Sequence, residues 1–364
     1  MMLADMGAEV VRVHRIEVVA RGVDPFASPV MDRSRRSLGL DLKSPDGAQC
    51  ARRLAGVADV VLEGFRPGVV ERMGIGPDDC LAGNPRLVYG RMTGWGQEGP
   101  LAQAPGHDID YIAVAGVLAH IGRRDAPPTP PLNLIGDFGG GGMLLAYGVM
   151  CALFEAQRSG QGQVVDTAMV DGAALLMAMI WGHKALGRWT DERGANIYDS
   201  GAPDYDAYET SDGEYVAFGA REPKFFTELL ARLGLADAGL PEQSDRDGWG
   251  ELHDAIAAVV ATRTRDEWTA ELEGAEVCFA PVLRMDEAVH HPHIAARGTL
   301  VEHEGLVQPA PAPRLSRTPA ALGAPMPVPG ADTDGVLRDW GFAPDEIARL
   351  HTAGAVSGRD DARP

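Results

Sequence analysis

Leu38-Gly39-Leu40-Asp41-Leu42, a run from Pro45 to Ala55, then Asp59-Val60-Val61-Leu62-Glu63 closing in Gly64-Phe65-Arg66-Pro67-Gly68, is the stretch on which the fold turns. The first five residues read as a strand, the run as a helix opened by proline, and Asp59 to Glu63 as a second strand. Strand, helix and strand in that order are the unit of a doubly wound α/β sheet. Ligands of such sheets bind beyond the carboxyl ends of the strands, where Arg15, Gly64 and Arg66 fall, so phosphate recognition is expected there. The same arginines would equally serve as a solvated helix surface. No G-x-G-x-x-G follows a strand, which gives no support to a nicotinamide or flavin cofactor.

Upstream, Met1 to Gly7 reads as the last turns of a helix with a glycine cap, and Ala8 to Val13 as the strand after it. A domain rarely opens with half a helix, so a preceding strand and turn are expected to be missing, leaving this copy less stable than its relatives. Downstream, Leu87 to Met92 is a strand closed by the glycine-rich loop Thr93 to Pro100, and Asp110 to Ile121 reads as a helix. Met143 to Ala156 reads as a mostly buried helix ending near Ser159-Gly160, followed by the strand Gln163 to Thr167. Ala168 to Ala185 is apolar on nearly every face and interrupted by Gly172, as suits a buried or subunit-interface helix.

A second unit follows a linker around Arg193 to Pro203. Tyr205 to Thr210, the turn Ser211-Asp212-Gly213 and Glu214 to Gly219 make a β-hairpin. Arg221-Glu222-Pro223 opens a helix with proline at its first position, and capping alone would account for the acid at Glu222. Helices near Trp249 to Thr262 and Arg265 to Leu272, a strand at Cys278 to Val282, a proline-rich return from Pro309 to Pro329, a helix from Asp345 to Ala353 and a disordered polar tail complete the chain.

With 364 residues, 45% of them hydrophobic and 23% charged, the chain holds two ordinary globular domains. Its 33 basic against 52 acidic residues, net −19, argue against nucleic acid or an anionic membrane as the main partner. Local basic clusters must then carry any anion binding. The dispersed cysteines Cys50, Cys80, Cys151 and Cys278 lack metal-ligand spacing and mostly sit in apolar runs, as reduced buried thiols in a cytoplasmic setting do. No apolar run reaches the length of a membrane span and no targeting signal is visible. His290-His291-Pro292-His293 is not read as a metal site, because the proline breaks helical spacing and no carboxylate or cysteine completes it.

Chemistry concentrates between Gly106 and Gly142. His107 and Asp137 are candidate proton carriers, and Asp137 precedes Gly139 to Gly142 and the helix beyond. Unpaired N–H groups at that helix start would bind an oxygen gaining negative charge. A tight turn or close backbone packing explains a glycine run equally well. Asp137-Phe138-Gly139 matches a kinase triplet, but no other kinase element accompanies it.

Met92-Thr93-Gly94-Trp95-Gly96-Gln97 with Gly99-Pro100, Gly106-His107-Asp108, Asn133 with Gly136 to Gly141, Gly162 to Asp166, and Arg221-Glu222-Pro223 together resemble the α-methylacyl-CoA racemases of the family III CoA-transferase superfamily. The resemblance runs from Met1 almost to the C-terminus. It implies an interlocked homodimer in which residues 1–185 with 315–364 form a large Rossmann-like CoA-binding domain, 205–290 a smaller α+β domain, and 186–204 and 291–314 the crossing linkers. It also implies that His107 handles the α-proton on one face of the thioester and Asp137 on the other, with the enolate oxygen received by N–H groups around Asp137 and Phe138. Glu222, supplied by the partner subunit, would pair with the histidine and raise its basicity. A helix N-terminus lowers an aspartate's pKa whereas a catalytic acid wants it raised, so burial beside an acyl chain has to win.

By the same resemblance Arg15, Arg33, Arg66 and Arg72 lie near the CoA phosphates, and Gly64, Gly94, Trp95, Tyr111 and Asn133 along the pantetheine and thioester. No metal or redox cofactor is implied, since CoA arrives as part of the acyl-CoA substrate. Met143, Met169, Met177 and Met179 suit either an adaptable acyl surface or an ordinary core. The alternatives are a family III CoA-transferase using Asp137 as nucleophile, whose relatives generally lack the histidine, and an inactive CoA-binding homologue.

Overall fold

Ser44 starts the element whose local signals are clearest. The Gly47 N–H donates to its hydroxyl at 3.0 Å, Pro45 takes the first helical position, and Arg52 and Arg53 lie in the last turn. The helix therefore runs Pro45–Ala55, as the sequence reads. It belongs to a computed structural model that describes residues 1–325 and 327–358.

The strands flanking this helix depart from expectation. β1 (Val10–His14) and β2 (Arg35–Gly39) form one parallel pair, while β3 (Val60–Glu63), β4 (Val88–Thr93) and β5 (Gln163–Ala168) form a second parallel sheet with β4 at its centre. β2 and β3, the strands of the unit that decided the reading, thus bond to different neighbours. β2 begins at Arg35 rather than Leu38 because its arginines find acids on either side: Arg35 pairs with Asp32, and Arg36 with Glu9 and Asp339. Leu40, just past the strand, still donates its N–H to His14 O at 2.9 Å and also bridges Val356. The chain is a mixed α/β fold with parallel sheets.

Two compact units are present, residues 1–105, 141–169 and 289–364 in the first and 106–140 with 170–288 in the second. Residues 106–140 and 170–185, expected with the large domain, group with the hairpin.

In the first unit, Val88, Tyr89 and Gly90 are buried as befits a central parallel strand, and a Cβ at Gly90 would meet Leu62 at 2.6 Å. Leu38, Leu40, Cys50 and Leu54 pack with Val336, Leu337, Phe342, Ile347 and Val356. The C-terminal segment is therefore part of this core. Residues 354–358, expected in a disordered tail, are held by the Ser357 N–H on Gly39 O at 3.1 Å and the Asp41 N–H on Ala355 O at 2.9 Å. The rest of that expected tail, 359–364, lies outside the described residues.

The helix Leu144–Ser159 ends on Gly160 in the left-handed conformation, as expected, but it is not mostly buried. Leu145, Val149, Ala152 and Ala156 face the core. Met143, Tyr147, Met150 and Phe154, spaced at one helical face, are each more than half exposed. Taken from Leu134 to Ser159 the helix is, by length and composition, long and apolar enough to cross a membrane, which corrects the reading that no run reaches that length. Burial explains the thiols only in part: Cys50 is pushed up to about 12 and Cys80 to about 11 by desolvation, whereas Cys151 and Cys278 are exposed.

In the second unit β6 (Tyr205–Glu209) and β7 (Tyr215–Gly219) form the expected hairpin around Gly213, and β8 (Phe279–Pro281) adds an antiparallel third strand. Tyr208, Val216, Phe218, Leu229, Leu252, Ile256, Trp268 and Leu272 make its core. The predicted helix Asp110 to Ile121 is instead Asp108–Val114 and a short turn Leu118–His120, separated by Gly116 at φ +80°. The apolar run Ala168 to Ala185 is two helices, Met169–Leu176 and Ala178–Ala185, broken at Met177. Gly172 does not break it. This glycine packs against Gly140, and a Cβ there would collide with the Gly140 carbonyl. Among the described residues no cluster of three or more metal-ligating side chains occurs, and Pro292 simply opens the helix Pro292–Arg297.

Gly172→Ala is expected to lower stability by about 1–3 kcal/mol through this overpacking, read by denaturant unfolding. A second expectation concerns pH. Asp206, 3.6 Å from the His253 imidazole, raises that histidine's pKa above its ordinary 6.5. The folded state binds the proton more tightly, so this contribution is fully present below the unfolded pKa and is lost as pH rises through the raised folded value. His253→Gln should remove that loss, and stability curves for both proteins across neutral pH that remain parallel would contradict it.

Candidate active site

His107 occupies the N-cap of the helix Asp108–Val114, with its backbone N–H donated to Asp110 Oδ2 at 2.9 Å and its side chain exposed. Asp137 lies inside the first turns of a helix rather than before it. That helix begins with a π-helical stretch, Leu134–Met143, which runs through all four glycines. Wide turns of this kind often accompany functional sites.

Asp108 ties together the segments that bear the two candidate residues. It is 4% exposed, and its Oδ1 accepts the amide hydrogens of Gly136 at 2.6 Å and Asp137 at 2.8 Å. Two donors at the helix start, one of them expected to receive an enolate oxygen, are thus already engaged by a carboxylate. Gly136 makes this possible, since a Cβ there would stand 2.8 Å from Asp108 Oδ1. Asp108 Oδ2 has no protein hydrogen-bond partner among the described residues. Sequence reading quoted Asp108 only as part of a triplet. The available signal was an acid at the first position of one helix with a side-chain-free helix start elsewhere.

Asn133 Nδ2 donates to Asp137 Oδ2 at 3.1 Å. Tyr111, one turn along from Asp108, is buried, and its phenol is pushed up first by that burial and then by the charges of Asp137 and Asp110. His107, Asp108, Tyr111, Asn133 and Asp137 are therefore held by two adjoining helix ends of the second unit. Glu222 is in the same unit, at the N-cap of Pro223–Arg232, exposed and without a side-chain capping bond. Capping does not explain it. Among the described residues no hydrogen bond or ion pair joins Glu222 to His107.

The expected phosphate and pantetheine residues lie in the first unit, and they separate into two kinds. Arg15, Arg66 and Arg72 are exposed and carry no ion pair among the described residues. Arg33 is different: it is 2% exposed, with Nε and Nη2 on the Asp5 carboxylate at 3.0 and 2.6 Å and Nη1 on Gln308 and the Pro309 carbonyl. A guanidinium so paired and buried does not meet a phosphate from solvent, so Arg33 is reassigned from ligand to structural ion pair. Gly64 is exposed, a Cβ there meeting only the Met92 carbonyl oxygen at 3.8 Å, Gly94 is half-buried, and Trp95 Nε1 points at Pro105 O, 3.5 Å away. Behind the Gly64–Arg66 loop, Arg91 bridges Glu63 and Glu71 at 2.8 Å each, a brace the sequence did not reveal.

The sequence profile of CoA-transferase family III matches residues 1–333. This chain belongs to CoA-transferase family III. It is 46% identical to the α-methylacyl-CoA racemase of Mus musculus over 354 residues, covering 97% of this chain and 91% of that protein. With the Homo sapiens α-methylacyl-CoA racemase it shares 43% over the same length and coverage. The crystal structure of Rv3272 from M. tuberculosis superposes with a TM-score of 0.76 at 29% identity, covering 92% of each chain. The family III resemblance carried by the glycine, His-Asp and Arg-Glu-Pro motifs is met along nearly the whole chain.

Asp108→Ala leaves the Gly136 and Asp137 amides without their acceptor and is expected to destabilise by about 1–3 kcal/mol. Asp108→Asn, which keeps one acceptor oxygen, should lose less. Equal unfolding midpoints for all three proteins would contradict the bond's importance.

Proposed function

We propose that this family III protein is an α-methylacyl-CoA racemase, an isomerase that interconverts (2R)- and (2S)-2-methylacyl-CoA thioesters by removing the α-proton to an enolate and returning it on the other face. The observation that carries the reading is the likeness to two mammalian racemases across nearly the whole chain, together with a His107-Asp108 pair whose aspartate accepts the Asp137 amide hydrogen. A thioester acidifies its α-hydrogen enough for a side-chain base to take it, and racemisation needs a carrier on each face. His107 serves one face and Asp137 the other. Asn133 orients the Asp137 carboxylate, and Tyr111 walls it. An enolate oxygen drawn to the Asp137 amide has to share that donor with Asp108, so enolate stabilisation and the geometry of both carriers are coupled.

CoA binds as part of the substrate along the parallel sheets, which we read as a Rossmann-like domain, with Arg15, Arg66 and Arg72 as the cations available to its phosphates and no separate cofactor. The protein acts as a cytoplasmic homodimer in this reading. Glu222 reaches the partner's site, in keeping with its exposed carboxylate and the lack of a bond to His107 within the chain. The exposed stripe Met143, Tyr147, Met150 and Phe154 is the face we assign to the second copy.

Proton NMR in deuterium oxide with one enantiomer of a 2-methylacyl-CoA, and acetate as a possible acceptor, tests this directly. Washout of the α-hydrogen with formation of both enantiomers is expected. Acetyl-CoA with the α-hydrogen intact would instead establish a CoA-transferase, and no turnover by a folded protein a CoA binder. His107→Ala should slow exchange in one stereochemical direction and Asp137→Ala in the other, each by on the order of a hundredfold or more; equal small losses would count against both roles.

A further inference from the structure

Glu222 has no capping bond, yet the backbone that presents it is fixed from behind. Gln243 Nε2 donates to the carbonyls of Ala220 and Arg221, both at 3.1 Å, and to Asp204 Oδ2. Arg221 Nη1 reaches both oxygens of Asp204 at 2.5 Å. Asp204 is 1% exposed and Gln243 is itself tied down, its backbone carbonyl accepting the indole N–H of the core residue Trp249 at 2.9 Å. On the strand side, the Arg221 N–H donates to Gly219 O at 2.8 Å, and the Gly219 N–H to Cys278 O at 2.9 Å.

These contacts converge on the two residues immediately before Glu222. A buried carboxylate is costly unless paired and hydrogen-bonded, and here both of its partners also touch, or are, the segment leading into the helix. Pro223 then fixes the helix start on the other side of Glu222. An exposed side chain with no bond of its own takes its direction from its backbone, and this backbone is held on both flanks.

We propose that Asp204, Arg221 and Gln243 form a clamp that positions the Glu222 carboxylate for catalysis. None of the three touches substrate; they are positioning residues. The proposal rests on the racemase reading of Glu222, and it holds whether that carboxylate serves its own chain or a partner. Misplacing an orienting group by about an ångström is enough to slow a reaction on the order of a hundredfold without altering substrate binding.

The test is a double-mutant cycle on α-hydrogen exchange from a 2-methylacyl-CoA, with KM, kcat and melting temperature measured for each protein. Glu222→Gln and Gln243→Leu should each lower kcat roughly tenfold to a hundredfold at unchanged KM. The double variant should be no slower than Glu222→Gln alone, because the clamp acts through that carboxylate. Gln243→Asn, which draws the amide back by one methylene, replaces Gln243→Leu if the latter does not fold. Losses that multiply in the double variant, or a Gln243 variant as fast as the unchanged protein, would overturn the clamp while leaving the role of Glu222 intact. A fully active Glu222→Gln protein would overturn the role of Glu222 and the clamp with it.

Discussion

The bond from Asp108 to the amides of Gly136 and Asp137 is the constraint on which the candidate site depends. A buried carboxylate needs donors that are already in place, and a helix start supplies them without moving. Engaging Asp108 Oδ1 in this way ties the helix headed by His107 to the helix bearing Asp137, 28 residues apart in sequence for the first of the two bonds. Several glycines follow from that requirement. Gly136 leaves room for the carboxylate, and Gly140 and Gly172 bring the helix start against its neighbour. The glycine run is therefore packing and chemistry at once.

Charge sorting explains which arginines remain for a ligand. In a chain of net −19, a basic side chain near the surface has many acids to choose from. Arg12 takes Asp24 and Asp32, Arg33 takes Asp5, and Arg91 takes Glu63 and Glu71. Those pairs are internal, and they hold loops in shape. Among the described residues Arg15, Arg66 and Arg72 take no such acid, and they are exposed.

Elements with local signals were legible in the sequence. Ser44 with Pro45 opens a helix at the expected residue, as does Arg265 behind the Thr264 and Glu267 capping pair, and Gly160 and Gly213 stop or turn the chain where they should. Relations between distant residues were not legible. That β2 and β3 belong to different sheets depends on which strand each meets, and the strand propensities of Leu38 to Leu42 carry no information about it. The burial of Arg33 depends on Asp5 and Gln308, at opposite ends of the sequence. Apolar content likewise mispredicted exposure, because Tyr147 and Phe154 look like core residues until the face they occupy is known. His107, Asp137 and Glu222 are candidates carried by motifs, whereas the contact of Asp108 depends on what lies 28 residues further on.

Asp108 and Glu222 are two acids beside helix starts, and the chain treats them in opposite ways. Asp108 spends its carboxylate on backbone amides and disappears from the surface. Glu222 stands where an acid would stabilise a helix dipole, yet its side chain makes no bond to the helix it heads, and Pro223 removes one of the donors it might have taken. The stabilising role is left unused, and the carboxylate stays exposed above a backbone that buried groups hold rigid. A residue kept for stability would be expected to collect the bond available to it. One held rigid and left free is arranged to meet something outside its own helix.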